Sequence, residues 1–97
     1  MSEITLAFNN KLFTFAVTNE TTIMSYESGK ELKKLVATLQ VDENNHSTVE
    51  QFIKDDMTNV VKDQYNRRWK IDGWFLDSDP LQTRFKYEVV LIEMEGG

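Results

Sequence analysis

The amino-acid sequence predicts an α+β domain in which an antiparallel sheet of about four strands carries two helices on one face, in the order β-β-α-α-β-β. Three observations predict it. Apolar residues alternate with polar ones near both ends of the chain, two segments between them repeat apolar residues at helical spacing, and 97 residues leave room for a single core.

Ile4, Leu6 and Phe8 alternate with polar or small residues, and Phe13, Phe15 and Val17 do the same beyond Asn9-Asn10. With the asparagines at the centre of a turn, Leu6 pairs with Phe13, Ile4 with Phe15 and Thr5 with Thr14, which gathers the apolar residues on one face. Asn accepts the positive φ such a turn requires. Residues 18–27 read as either a loop or a short edge strand. From Ser28 the pattern turns helical: Ser28 and Glu31 form a capping box, and Leu32, Leu35, Val36 and Leu39 share a helix face. Residues 42–46 read as a polar connection. A second capping box, Ser47 with Glu50, opens a longer helix whose stripe runs through Val49, Phe52, Ile53, Met57, Val60 and Val61. Glu50 with Lys54, and Asp63 with Arg67, have the spacing of helical ion pairs.

Strand patterning resumes at Trp69. Trp69, Ile71 and Phe75 share one face, Lys70 and Trp74 the other, with Gly73 between. Asp77-Ser78-Asp79-Pro80 makes a turn, because Pro80 cannot sit inside a paired strand. The last strand runs from about Gln82 to Met94, with Phe85, Tyr87, Val89 and Leu91 on one face and Val90, Ile92 and Met94 on the other. Apolar on both faces towards its end, it reads as a central strand or one covered on its second face.

Composition excludes more than it assigns. The absence of cysteine removes disulfides, thiolate zinc sites and cysteine nucleophiles. The first ten residues show neither the basic nor the unbroken apolar stretch of a secretory leader, and no apolar run approaches the ~20 residues that span a bilayer. A cytoplasmic protein is the expectation. A net charge of −5 argues against sequence-blind nucleic-acid binding. Charge is unevenly placed: residues 42–63 carry six acids and two bases, 64–70 three bases and no acid, and 71–97 six acids and two bases.

The catalytic and metal motifs fail one by one. His46 has no second histidine or cysteine to work with, and it reads as an exposed loop residue. The acidic run at 42–46 lacks the glycine and glutamate of a calcium loop, with Ser47 and Ile53 at those places. Ser28-Gly29-Lys30 has only the last part of a phosphate-binding loop. The neighbouring acids Asp55 and Asp56, and Asp77 and Asp79, sit where solvated carboxylates occur. Neither an enzyme nor a cofactor or metal is expected.

The basic island is the better lead. Tyr65, Arg67, Arg68, Lys70, Trp74, Arg84 and Lys86 would form a basic-aromatic patch on the last hairpin, and exposed aromatics beside Arg are typical anchors for a protein partner. The reading is a non-enzymatic protein-binding module of accessory or inhibitor type, a kind frequent, by association only, among phage and mobile-element products. A weak single-stranded nucleic-acid binder using Trp74 for stacking is an alternative. Val90, Ile92 and Met94 could also be capped by a second copy, giving a homodimer through the last strand. A further alternative comes from the chain end. The N-terminal hairpin, a helix, a last strand and the terminal Glu95-Gly96-Gly97 resemble the ubiquitin-like modifiers and sulfur carriers over residues 1–40 and 87–97. That resemblance implies that Gly96 and Gly97 would enter an activating enzyme and Gly97 would be activated. The second long helix and the strand at 69–76 depart from that layout.

Overall fold

The computed structural model describes residues 2–8, 10–55, 60–78 and 84–94. Among these residues the elements are β1 (Ser2–Phe8), β2 (Lys11–Met24), β3 (Glu31–Asp42), α1 (Glu43–Asp55), β4 (Val60–Lys62), β5 (Arg68–Ser78) and β6 (Arg84–Glu93). Every strand pairing is antiparallel. The order β1-β2-β3-β6-β5-β4 brings the outer strands β1 and β4 back beside each other, so the sheet curls into a nearly closed barrel. The expected four strands with two helices are thus corrected to six strands with one helix among the described residues.

The first hairpin forms in the expected register, with Leu6 opposite Phe13, Ile4 opposite Phe15 and Thr5 opposite Thr14. The two threonine hydroxyls lie 2.9 Å apart on the outer face. Asn10 takes a φ of 69° at the turn, while Asn9 lies outside the described residues. β2 then continues through residues 18–24 as a strand rather than a loop.

The expected first helix is the strand β3. Leu35 and Leu39 are spaced for one turn of helix and equally for two alternations of a strand, so periodicity alone does not separate the two. Leu35, Ala37, Leu39 and Val41 are the buried set, a period of two. β3 finds β2 on one side and β6 on the other, and its β-branched Val36, Thr38 and Val41 suit that pleated surface. Long-range pairing overrides the local helical signal. The residues that resembled a capping box build the tip of the β2–β3 hairpin instead: the Ser28 hydroxyl accepts the Lys30 amide at 3.2 Å, and Gly29 supplies a φ of 72°.

The surviving helix starts earlier than its sequence signal. Asp42 Oδ1 accepts the Asn45 amide at 3.0 Å and so caps α1, which leaves Ser47 inside the helix. Val49, Phe52 and Ile53 are buried as the stripe predicts, whereas Val60 and Val61 belong to β4 and Met57 lies outside the described residues. α1 packs across the barrel end where β1 and β3 finish and β6 begins. There Phe52 stacks on Phe8 with ring centroids 4.4 Å apart, and Phe13 and Phe15 pack around the same ring.

β5 begins as predicted and then changes face. A bulge between Ile71 and Gly73 inserts Asp72 as an extra residue. Each residue beyond it therefore points opposite to simple alternation. Trp69 and Ile71 are buried before the bulge, and Trp74 and Leu76 pack on the core after it. Phe75, predicted inside, is 63% exposed. Asp77 and Ser78 still belong to β5, not to the turn. On β6 the predicted inner face holds, with Tyr87, Val89 and Leu91 buried and Phe85 against the core. β6 also takes the expected central place between β3 and β5. No described helix is long and apolar enough to cross a membrane.

These placements predict unequal costs for aromatic truncation. Phe8→Ala should destabilise the fold by about 3–5 kcal/mol, as for large-to-small changes in packed cores. Phe75→Ala should stay within about 1 kcal/mol of the parent. Urea unfolding midpoints measured side by side check both values.

Candidate functional site

The end of the barrel opposite α1 is shaped by the five-residue turn between β4 and β5, and that turn is organised by one carboxylate. Asp63 follows β4 directly and its side chain is fully buried. Its Oδ1 accepts the Tyr65 amide at 2.9 Å and the Arg67 amide at 2.8 Å. Its Oδ2 accepts Arg67 Nε at 2.9 Å and Trp69 Nε1 at 3.0 Å. The backbone closes the same loop, with the Asp63 amide donating to the Arg67 carbonyl at 2.9 Å and the Asn66 amide to the Asp63 carbonyl at 3.0 Å. Asn66 takes a φ of 64°, which Asn tolerates better than most residues.

Burial by itself would raise the Asp63 carboxyl. The hydrogen bonds from Trp69, the Arg67 and Tyr65 amides and the Arg67 guanidinium outweigh it and hold the group below its ordinary 3.8. Asp63 and Arg67 do form the ion pair their spacing suggested, across a turn instead of along a helix.

Around this hub the turn displays cations and one aromatic ring. The Arg67 guanidinium carbon sits 5.3 Å from the Tyr65 ring centroid and 5.6 Å from that of Trp69, within cation–π range. Tyr65 itself is 70% exposed. Beside it lies a cleft of about 650 Å³ lined by Lys62, Asn66, Arg67, Arg68, Glu93 and Met94. Lys62 and Arg68 face each other directly in the β4–β5 register. A smaller cleft of about 250 Å³ opens on the other side of Tyr65 and Arg67, with Ile4, Leu35 and Trp69 among the residues that line it.

Of the residues proposed from sequence, Tyr65, Arg67 and Arg68 come together at this end. Lys70 is exposed on β5 a short way along. Trp74 does not join them: the bulge turns it inward, where it is half-buried against the core with its ring 6.4 Å from that of Tyr87. Arg84 and Lys86 sit towards the other end of β6, roughly 30 Å and 23 Å from Glu93 at the usual rise per residue. There Arg84 lies opposite Asp42 and Lys86 opposite Asp77 in register. Gly96 and Gly97 lie outside the described residues, and the helix on which the resemblance to ubiquitin-like modifiers leaned is β3.

Sequence reading missed Lys62, Asp63, Asn66, Glu93 and Met94 as site residues. The signal was present in Asp63 and Asn66, both turn formers, but it was read through a helix that ends before β4. It also misjudged His46, which is not an exposed loop residue. The His46 ring stacks on Phe85 at 3.8 Å, its Nδ1 lies 2.7 Å from the Tyr87 hydroxyl, and its Nε2 lies 3.5 Å from Glu50. Burial, with a smaller contribution from the Glu50 charge, pushes the Tyr87 phenol well above its ordinary 10.0. His46 and Tyr87 line neither cleft of the open end and serve to tie α1 to β6. Among the described residues no group of three or more metal-ligating side chains converges.

No protein-family model matches the chain, and no curated protein or solved structure does. The site is therefore read from its own geometry.

The Asp63 hub carries a pH dependence whose sign is determined. Because the folded carboxyl titrates below 3.8, its contribution is present in full above that pH and disappears as pH falls through the folded value. Asp63→Asn places an amide NH₂ against both Arg67 Nε and Trp69 Nε1 or, flipped, against the Tyr65 and Arg67 amides. It should cost about 2–4 kcal/mol at neutral pH. Urea unfolding repeated at falling pH should show the gap between parent and variant narrowing below 3.8.

Proposed function

We propose that the chain is a non-enzymatic protein-binding module, of accessory or inhibitor type, that engages its partner with the open end of the barrel. One observation carries this reading. A rigid turn, held by four hydrogen bonds to the Asp63 carboxylate, presents exposed Tyr65 and the Arg67 guanidinium beside a cleft bordered by Lys62 and Arg68. Tyr and Arg dominate the few residues that carry most binding energy at protein interfaces, and they do so best when little conformational freedom is lost on docking. The turn meets both conditions. Concentrating bases here, on a protein of net charge −5, also favours a partner whose complementary surface is acidic.

The experiment is a native pull-down with the tagged chain, followed by affinity measurement on the captured protein. Tyr65→Ala and Lys62→Glu should each weaken that affinity by about tenfold or more, a typical loss at an interface anchor. Both should leave the urea midpoint nearly unchanged, since both positions are exposed. A partner whose affinity ignored both substitutions would remove this surface from consideration, and the lack of any stoichiometric partner would remove the function.

A further inference from the structure

The β2–β3 hairpin extends beyond the barrel. β1 pairs with β2 only as far as Val17, and β6 pairs with β3 only from Lys34 onward, so the distal hairpin stands as a two-stranded arm on a molecule 46 Å long and 24 Å wide. Its tip is ordered: the Ser25 amide donates to the Lys30 carbonyl and the Gly29 amide to the Ser25 carbonyl, both at 2.9 Å. Yet it displays Met24 at 66% and Tyr26 at full exposure.

An unpaired strand edge is a template for another strand, and proteins usually block such edges with lysine, proline, bulges or a covering group. This molecule blocks its other edges in these ways. The Thr5 amide of β1 donates to Gln64 Oε1 at 2.9 Å, the Lys33 amide of β3 donates to Glu93 Oε1 at 3.4 Å, and β5 carries its bulge and Asp77 where β4 leaves off. Beyond Val17, β2 starts with a bulge at Thr18, and residues 19–24 after it carry no such device. Among the described residues no strand pairs with them on the side away from β3. The run Thr-Asn-Glu-Thr-Thr-Ile-Met holds no lysine, proline or glycine and is rich in β-branched residues that favour pairing. Its single charge, Glu20, is already engaged with Lys33 at 3.5 Å.

We infer that this edge pairs with the same edge of a second copy, antiparallel and about a two-fold axis at Thr21. Of the symmetric registers open to the regular residues 19–24, the one centred on Thr21 sets the Glu20 carboxylate opposite the Thr22 hydroxyl, whereas one centred on Thr22 sets it opposite Met24. The register centred on Thr21 also places Asn19 opposite Ile23 of the other copy. A register centred on Glu20 would instead set two acids face to face, which disfavours it. Pairing cannot run past Asn19, because the bulge at Thr18 interrupts the edge and β1 occupies it from Val17 onward. Each arm tip then arrives at the open barrel end of the other copy, beside the cleft bordered by Glu3, Ile4 and Tyr65. Exposed Met24, Tyr26 and Tyr65 thus meet in one place. The contact is isologous, as in most dimers.

Sedimentation velocity of the full chain over a wide concentration range should show a monomer–dimer equilibrium. The deciding variants are at Thr22, which faces Lys33 within its own hairpin and Glu20 across the axis. Thr22→Glu should weaken dimerisation by about tenfold, since symmetry counts the repulsive pair twice, and Thr22→Lys should strengthen it by a similar factor. Their effects on the hairpin itself run the other way, so misfolding cannot mimic the pattern. In the cysteine-free chain, Thr21→Cys should also cross-link into disulfide dimers under oxidation while Lys86→Cys stays largely monomeric. A chain that sediments as a monomer throughout, or a dimer indifferent to both Thr22 substitutions, would overturn the inference.

Discussion

Taking a carboxylate out of water is costly unless donors occupy its lone pairs. Asp63 gathers four such donors from Tyr65, Arg67 and Trp69, and much of the molecule hangs on that arrangement. The same turn that it folds carries Gln64, whose side chain accepts the Thr5 amide of β1. The bond to Trp69 joins the turn to one of the largest buried side chains in the core. Sheet closure, core and the candidate interface are thus coupled through one acidic group.

The two ends of the barrel divide the work. At one end α1 closes the core with the stack of Phe52 on Phe8 and with the contacts of His46 to Phe85 and Tyr87. At the other end no described helix covers the opening, and the turn, two clefts and the base of the β2–β3 arm share it. Two exposed aromatic residues stand outside the core, Tyr65 on the turn and Tyr26 at the arm tip. Tyr65 and Tyr26 contribute little to the core yet sit on backbone held by its own hydrogen bonds, so each is presented with little freedom to lose.

Edge management explains why the molecule has this shape. A six-stranded antiparallel sheet with free outer strands would invite unspecific pairing. Curling β1 towards β4 removes most of that exposure, and side chains from Gln64 and Glu93 occupy amides that remain. The bulge at Asp72 strengthens the local twist, which helps the sheet to curl. It also exchanges Phe75 for Trp74 on the inner face, so the same device that shapes the barrel removes the tryptophan from the surface.

How much was legible in the sequence can be followed element by element. The first hairpin was, because its register follows from alternation and a two-residue asparagine turn, both local. The inner face of β6 was legible because alternation names it, and its central place was one of the two positions that apolarity on both faces allowed. The burial of Val49, Phe52 and Ile53 was legible too. β3 was not, because Leu35 and Leu39 satisfy both periods and only partners distant in the chain decide between them. The open-end site was legible only in part: Tyr65, Arg67 and Arg68 were named, while Asp63 and Asn66 were read through a helix that ends before β4. The inward turn of Trp74 was not legible, because the extra residue at Asp72 reverses the later side chains of β5 and nothing in composition marks it. By itself, then, the sequence determined the pairing of the first hairpin and the buried faces of that hairpin, of α1 and of β6. The tertiary structure alone decided that the middle of the chain is extended, that Trp74 turns inward, and that Asp63 becomes a hub, because each of these depends on hydrogen-bond partners that only the folded sheet supplies.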